Sequence, residues 1–325
     1  MSGVSNSTRI LLLPILLFLN QPFLFARADS PEVTFHQGEG EISIEIGGQP
    51  FARYVYVDTE IPRPYFCDVK TPSGIQATRN HPPIEGVDRT DHATYHPGIW
   101  LAFGDISGQD FWRLKARVRQ ERFVQEPVGE SGHGSFSVEN VYLGEDGSEV
   151  CRETVSYGIH AIPGDSAPLG YLLVQDSVFS SDKGSFVFGD QEEMGFAFRV
   201  ATPMNVKEGG LILDSEGRRN QDEVWGKIAK WCDYSGTIDG NSVGMTLIPN
   251  PGNFKPSWFH ARDYGVLLAN PFGRKAYTGG EASAVEIKKG EEFRYRNGVF
   301  IHSTEERDDS MPEKGFQAYL NIAGE

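Results

Sequence analysis

Cysteine is scarce in this chain. Cys67, Cys151 and Cys232 are scattered through 325 positions, too few for a disulfide framework and too dispersed for a thiolate metal site. At most one disulfide can form, with one thiol left over. Positive charge is also in deficit: 45 Asp and Glu against 30 Lys and Arg give a formal net charge of −15. Such an excess of acid disfavours nucleic acid and anionic membrane surfaces as partners, because both select basic patches. Long apolar runs are missing beyond the first twenty residues. The longest later stretches, such as 265–269, are strand-sized and run into polar residues or turn formers, so no later membrane span is expected. A Gly-rich phosphate loop and a nucleophile elbow are lacking as well, which leaves nucleotide chemistry unsupported.

What is present begins with a leader pattern. Arg9 precedes the apolar run 10–19, and Ala26-Arg27-Ala28 supplies the small-x-small signature of signal peptidase. Residues 1–28 are expected to be a cleaved signal peptide, with the mature chain starting at Asp29 and working in the periplasm or outside the cell. Asn20, Gln21 and Pro22 interrupt the run before it reaches the roughly 20 residues that a span requires. No membrane partner is therefore expected after cleavage. Residues 29–325 form one domain, near the size of roughly 250–300 residues at which a single core stops growing.

From Glu41 onward the pattern has period two. Ile42, Ile44 and Ile46 alternate with Ser43 and Glu45, Gly47-Gly48 marks a turn, and 54–57 is the return strand of a hairpin. Further strands are expected at 136–143, 149–157, 171–179, 185–188, 195–200, 243–247, 264–269, 293–301 and 316–322. Helical periodicity is weak; the best candidate, 222–231, carries Val224, Ile228 and Trp231 on one side. The pattern predicts an all-β sandwich or barrel. Two stretches, 61–111 and 249–263, break the rhythm and read mainly as long connections, the first with a short strand at 99–103. Long ordered loops on a β scaffold are where sites usually form.

Chemistry-bearing residues gather in these loops. The first holds Arg79, Asp91, His92 and His96, so two imidazoles and a carboxylate lie within six positions. The His92–His96 spacing is that of a zinc protease, but Ala93 stands where the catalytic Glu belongs and Pro97 stops a helix. Asp190-Gln191-Glu192-Glu193 enters a strand; a continuing pleat would point Glu192 and Glu193 to opposite faces, so that only one reaches a given cleft. The second loop brings Trp258, His260, Arg262, Asp263 and Tyr264, followed by Asn270. Aromatic faces that cover sugar rings, beside charged and amide groups that bond hydroxyls, are the residue types of carbohydrate sites. His302 ends the strand that starts near Arg294.

These same residues carry a family resemblance. Thr78-Arg79-Asn80-His81-Pro82-Pro83, Asp91-His92, Gly98-Ile99-Trp100, Asp110-Phe111-Trp112, Asp190 to Gly195, Glu216-Gly217-Arg218-Arg219, Trp225-Gly226-Lys227, Trp231-Cys232-Asp233-Tyr234 and Trp258 to Gly265 resemble, in order, the PmoA-like family of exported bacterial proteins. Many members carry an adjacent His pair and an Arg where this chain has Tyr95-His96-Pro97. The resemblance implies a large β-sandwich similar to the galactose-mutarotase-like supersandwich, in organisms that degrade polysaccharides. The methane oxygenase label often given to such proteins belongs to a multi-span membrane subunit, which this chain does not match.

The expectation is an exported carbohydrate-active protein that needs no cofactor, with a carbohydrate or other small polar ligand as partner. His92 and His96 are the proton-transfer candidates, since an imidazole titrates near neutral pH, with Asp263 or Glu193 as partner carboxylate. Arg79, Asp91, Trp258, His260, Arg262, Tyr264, Asn270 and His302 are expected to bind the ligand. Two alternatives stand beside this: a non-catalytic glycan-binding module in which Trp258 and Tyr264 stack on sugar, and a metal-binding protein using His92, His96, His260 and His302. The 91–98 loop and the 258–264 segment are expected to converge on one cleft.

Overall fold

The computed structural model describes residues 1, 3 and 30–324. Apart from residues 1 and 3, the expected leader, and its cleavage point before residue 29, lie outside the described residues. Among the described residues the chain forms two large antiparallel sheets. The nine-stranded sheet has the spatial order Val33–Gln37, Glu41–Ile46, Gln49–Val55, Tyr65–Cys67, Ile99–Phe103, Met194–Arg199, Val266–Asn270, Trp258–Arg262 and Lys227–Ile228. In the eight-stranded sheet the order is Leu211–Asp214, Cys232–Ile238, Asn241–Pro249, Glu292–Thr304, Gly170–Ser180, Glu149–Ile162, His133–Leu143 and Arg117–Glu130.

Alternation drives the packing. Ile42, Ile44 and Ile46 are buried while their neighbours along the strand are half-buried, so one face of the first hairpin points inward. Inward residues of both sheets share one core: Phe66, Ile99, Leu101, Phe196 and Phe198 from the first meet Phe136, Val155, Leu173, Phe179 and Ile301 from the second. Two sheets that bury their apolar faces against each other make a large β-sandwich. No helix among the described residues is long and apolar enough to cross a membrane. Cys67, Cys151 and Cys232 are all free and buried.

Three sequence expectations change here. The strand expected at 316–322 is part of the helix Met311–Ala323. Phe316, Ala318, Leu320 and Ile322 alternate as a strand would. Helical spacing wins because Met311, Gly315, Phe316 and Tyr319 then bury together against the outer face of the eight-stranded sheet, over Leu172, Val174 and Phe300. The helix expected at 222–231 covers only Asn220–Val224, and Lys227–Ile228 becomes an edge strand. Gly226, at φ 70°, supplies the left-handed turn between them. The supposed connection 249–263 contains the strand Trp258–Arg262, in the interior of the nine-stranded sheet.

That strand positions the site. Phe259 and Ala261 face the core, so Trp258, His260 and Arg262 project from the outer face. Leu267 and Ala269 do the same for Leu268 and Asn270, and Phe196 and Phe198 for Ala197 and Arg199. In register, Trp100, Ala197, Leu268 and His260 form one outward row and Arg199, Val266 and Arg262 another. The small Ala197 beside Trp100 leaves room above the sheet for the rings of the 91–98 loop.

Candidate functional site

A column of rings rises from this outer face. Trp100 is its floor; His96 stacks on Trp100 at 5.1 Å between ring centres, with planes 13° apart. His92 stacks on His96 at 4.8 Å and 17°, and Tyr264 lies parallel to His92 at 5.9 Å and 10°. The 91–98 loop and the 258–264 segment therefore meet at His92 and Tyr264. Gly98 makes the loop's return possible: at φ 157°, a Cβ there would stand 2.1 Å from the Phe66 carbonyl oxygen.

Arg199, which sequence reasoning passed over, ties the column together. Its guanidinium makes a bidentate pair with Asp91 at 3.0 Å on both sides and lies 4.8 Å from the Tyr264 ring centre. Asp91 also accepts from His92 Nδ1 at 2.9 Å. Although burial pushes the Asp91 carboxyl up, the Arg199 guanidinium and the His92 ring outweigh it and hold the group at about 2. A carboxylate can only accept, so His92 carries its proton on Nδ1 and leaves Nε2 for a ligand.

His92 has φ 51°, the left-handed region that a non-glycine residue seldom enters. What holds it there is Arg79. This buried guanidinium donates to the carbonyls of Arg89 at 2.8 Å, Asp91 at 2.6 Å, His92 at 3.2 Å and His96 at 3.1 Å. Arg63 clamps the neighbouring loops in the same way, through the carbonyls of Tyr95, Phe111 and Trp112. Desolvation lowers Arg79 to about 10 and Arg63 to about 9, which leaves both protonated at neutral pH.

A second cluster sits beside the first. Glu192 Oε1 lies 3.1 Å from His260 Nδ1, off the line of its N–H, and accepts from Arg262 Nη2 and from Trp225 Nε1 at 3.3 Å. Arg262 Nε donates to His260 Nε2 at 3.0 Å. The His260 ring beside it, then Arg262 and Trp225, hold the Glu192 carboxyl at about 2 against the opposing effect of burial. Desolvation lowers His260, which keeps that ring neutral. Glu193 pairs with Arg113. Its charge reaches both His260 and Tyr264, so Glu192 and Glu193 serve the same side. Regular strand begins only at Met194, so no continuing pleat sends Glu192 and Glu193 to opposite faces.

Other expected site residues are placed differently. His96 is only 2% exposed beneath His92, and desolvation drives its imidazole well below the usual range. It supports the column and leaves almost no surface for a ligand. Asp263 turns away to cap Gln221 N at 3.0 Å, at the start of the helix Asn220–Val224. Asn270 is spent on the turn, accepting from Phe272 N and Gly273 N and donating to the carbonyls of Gln191 and Glu192. Arg79 is likewise committed to its four carbonyls. Trp258 is half-buried and stacks on Tyr277 at 6.0 Å. His302 lies on the other sheet, buried against Asp233 at 3.0 Å. The four-histidine metal set therefore does not assemble, and among the described residues no three His, Cys, Asp or Glu side chains group as metal ligands.

The signals for the two missed groups were weak. Arg199 ends a strand whose other residues are apolar, and a charge in such a run is the mark of an outward, partnered position. Trp225 stood among the motifs of the resemblance without a role.

A model for a family described as one of unknown function, DUF6807, matches residues 41–314. The chain belongs to that family. Every group described above falls within the DUF6807 match, so the ring column and both ion-paired clusters are parts of the family domain. No curated protein matches the chain. Among solved structures, a protein described as a kojibiose phosphorylase from the human microbiome is similar at 8% identity and a TM-score of 0.37, over 89% of this chain and 32% of that one. The Slr1438 protein from Synechocystis sp. PCC 6803 is similar at 12% identity and a TM-score of 0.26, over 84% of this chain and 96% of that one. This DUF6807 chain thus spans about a third of the phosphorylase's length, and likenesses so remote carry no argument about activity.

Proposed function

We propose that this protein is an exported, carbohydrate-active member of its family, and that it works on the outer face of the nine-stranded sheet with His92 as the proton-transferring group. The Asp91–His92 pair carries the proposal. Asp91 is anchored by Arg199 and orients the His92 imidazole, whose side chain is 44% exposed, so Nε2 can exchange a proton with a sugar hydroxyl or glycosidic oxygen. Holding His92 in a left-handed conformation costs about 1–3 kcal/mol, a strain that persists only where surrounding structure enforces it and that clusters at functional sites. Tyr264 and Trp225, both half-buried, supply ring faces near the charged groups.

A non-catalytic glycan-binding module is the second reading, favoured because Asp91, Glu192 and Glu193 are each committed to an arginine. Screening a glycan panel for both binding and turnover separates the two. With an enzyme, His92→Asn abolishes turnover and leaves much of the binding, whereas Tyr264→Ala weakens binding itself. Binding without turnover in the wild type identifies the module. Absence of both ends the carbohydrate proposal. Export is tested by mass spectrometry of protein from its host, where an N-terminus at Asp29 is expected and retention of residues 1–28 refutes it.

A further inference from the structure

The charges on this outer face narrow the ligand. Three guanidinium–carboxylate pairs lie on this side of the molecule, near the half-buried Tyr264: Arg199 with Asp91, Arg262 with Glu192, and Arg113 with Glu193. The Arg199 guanidinium lies 4.8 Å from the Tyr264 ring centre, Arg262 shares its outward row with Arg199 through Val266, and Glu193 directly follows Glu192 in the chain. The first two pairs are each internally compensated, and Arg113 is shared between Glu193 and Asp110 with Lys115 alongside, so each cluster balances its own charge.

The atoms left over are informative. Glu192 takes its three contacts through Oε1 alone, and Oε2 has no partner among the described residues. Arg262 uses Nε and Nη2, which leaves Nη1 without a partner among them. Arg113 uses Nη1 and Nη2 and leaves Nε. A carboxylate acceptor thus stands beside a guanidinium donor, each with one atom to spare, on partly exposed side chains. A hydroxyl is both donor and acceptor and satisfies such a pair at once. An ammonium can use only the carboxylate and meets the guanidinium's charge, and a ligand carboxylate or sulfate meets the opposite conflict.

We infer that this site, if it binds carbohydrate as proposed above, takes neutral sugars and discriminates against uronate, sulfated and amino sugars. Specificity resides chiefly in the Glu192–Arg262 pair, with Tyr264 and Trp225 as flanking rings. Arg262 lies 5.9 Å from the Trp225 ring centre and Arg199 4.8 Å from that of Tyr264, so each arginine is held against an aromatic face and is not a mobile cation available to anions.

Titration calorimetry against soluble neutral glucan, mannan and galactan, against polygalacturonate, alginate and dextran sulfate, and against chitosan tests this. Wild-type protein is expected to bind a neutral polymer with an affinity that barely changes between low and physiological salt. Binding to a charged polymer that equals or exceeds binding to the neutral ones overturns the inference while the carbohydrate proposal stands; binding to no polymer of either kind overturns both. Glu192→Gln adds a second test, since it keeps the side-chain outline but leaves the Arg262 charge uncompensated. Neutral-glycan affinity should fall about tenfold while polygalacturonate affinity rises by a similar factor. A parallel loss for every polymer, in a variant whose melting temperature matches wild type, removes Glu192 as the specificity determinant.

Discussion

Asp91→Asn removes one charge from the pair on which the ring column depends. In the folded protein the Asp91 carboxyl is held at about 2 against a usual 3.8, a difference that corresponds to about 2 kcal/mol of stabilisation before screening. Its side chain is 37% exposed, so solvent screening reduces that to about 1 kcal/mol. The other side of the pair adds to the loss. Arg199 is 1% exposed, and leaving a buried guanidinium without its counter-ion costs about 1 kcal/mol more, the new amide retaining part of the hydrogen bonding. Asp91→Asn should therefore lose about 2 kcal/mol at neutral pH and melt about 4 °C lower.

The pH dependence separates this cause from general loop damage. Because the folded carboxyl lies below its unfolded value, the stabilisation is complete above pH 3.8 and is lost as pH falls through about 2. Denaturant titrations of wild type and variant from pH 7 down to pH 3 should show a constant gap at the upper end that narrows below about pH 4. A gap that keeps its size over the whole range, or one smaller than about 0.5 kcal/mol at pH 7, refutes the assignment of Asp91 as the paired charge.

Arg79→Met leaves four buried carbonyls without their donor and should cost about 3 kcal/mol or more, with faster amide exchange across 89–96; unchanged exchange there removes Arg79 as the clamp. Glu153, buried among Tyr54, Tyr142, Tyr157 and Cys151, has its carboxyl pushed up by desolvation against the hydrogen bonds from Asn140, Ser177 and Tyr142. Its contribution to stability is complete below the usual 4.5 and declines as pH rises through the raised folded value, so Glu153→Gln should flatten the fall in stability measured between pH 5 and pH 8. His302→Ala should leave glycan binding unchanged and cost about 1–3 kcal/mol by leaving the buried Asp233 with Thr246 as its remaining side-chain donor; a selective loss of binding, read by calorimetry, would return His302 to the site.

Period-two patterning, read locally, was enough to predict an all-β sandwich and the first hairpin. It was also present in Trp258–Arg262, where Phe259 and Ala261 alternate with Trp258, His260 and Arg262, but the Pro, Gly and Asn residues before it disguised a strand as a loop. Alternation misled at 316–322, because a seven-residue window fits both periods and only the docking of Tyr319 and Phe316 on the second sheet decides between them. The site residues follow the same division. His92, Asp91, Arg262 and Tyr264 were legible as chemistry concentrated in two segments. That Asp91 meets Arg199, 108 positions away, was not, nor that Asp263 caps a helix and His302 belongs to the opposite sheet. The pleat assigns each side chain to a face from its immediate neighbours. Which strands lie side by side depends on how the whole chain shares one core, and that global burial brought Ile99–Phe103, Met194–Arg199 and Val266–Asn270 together beneath the loops that carry the histidines.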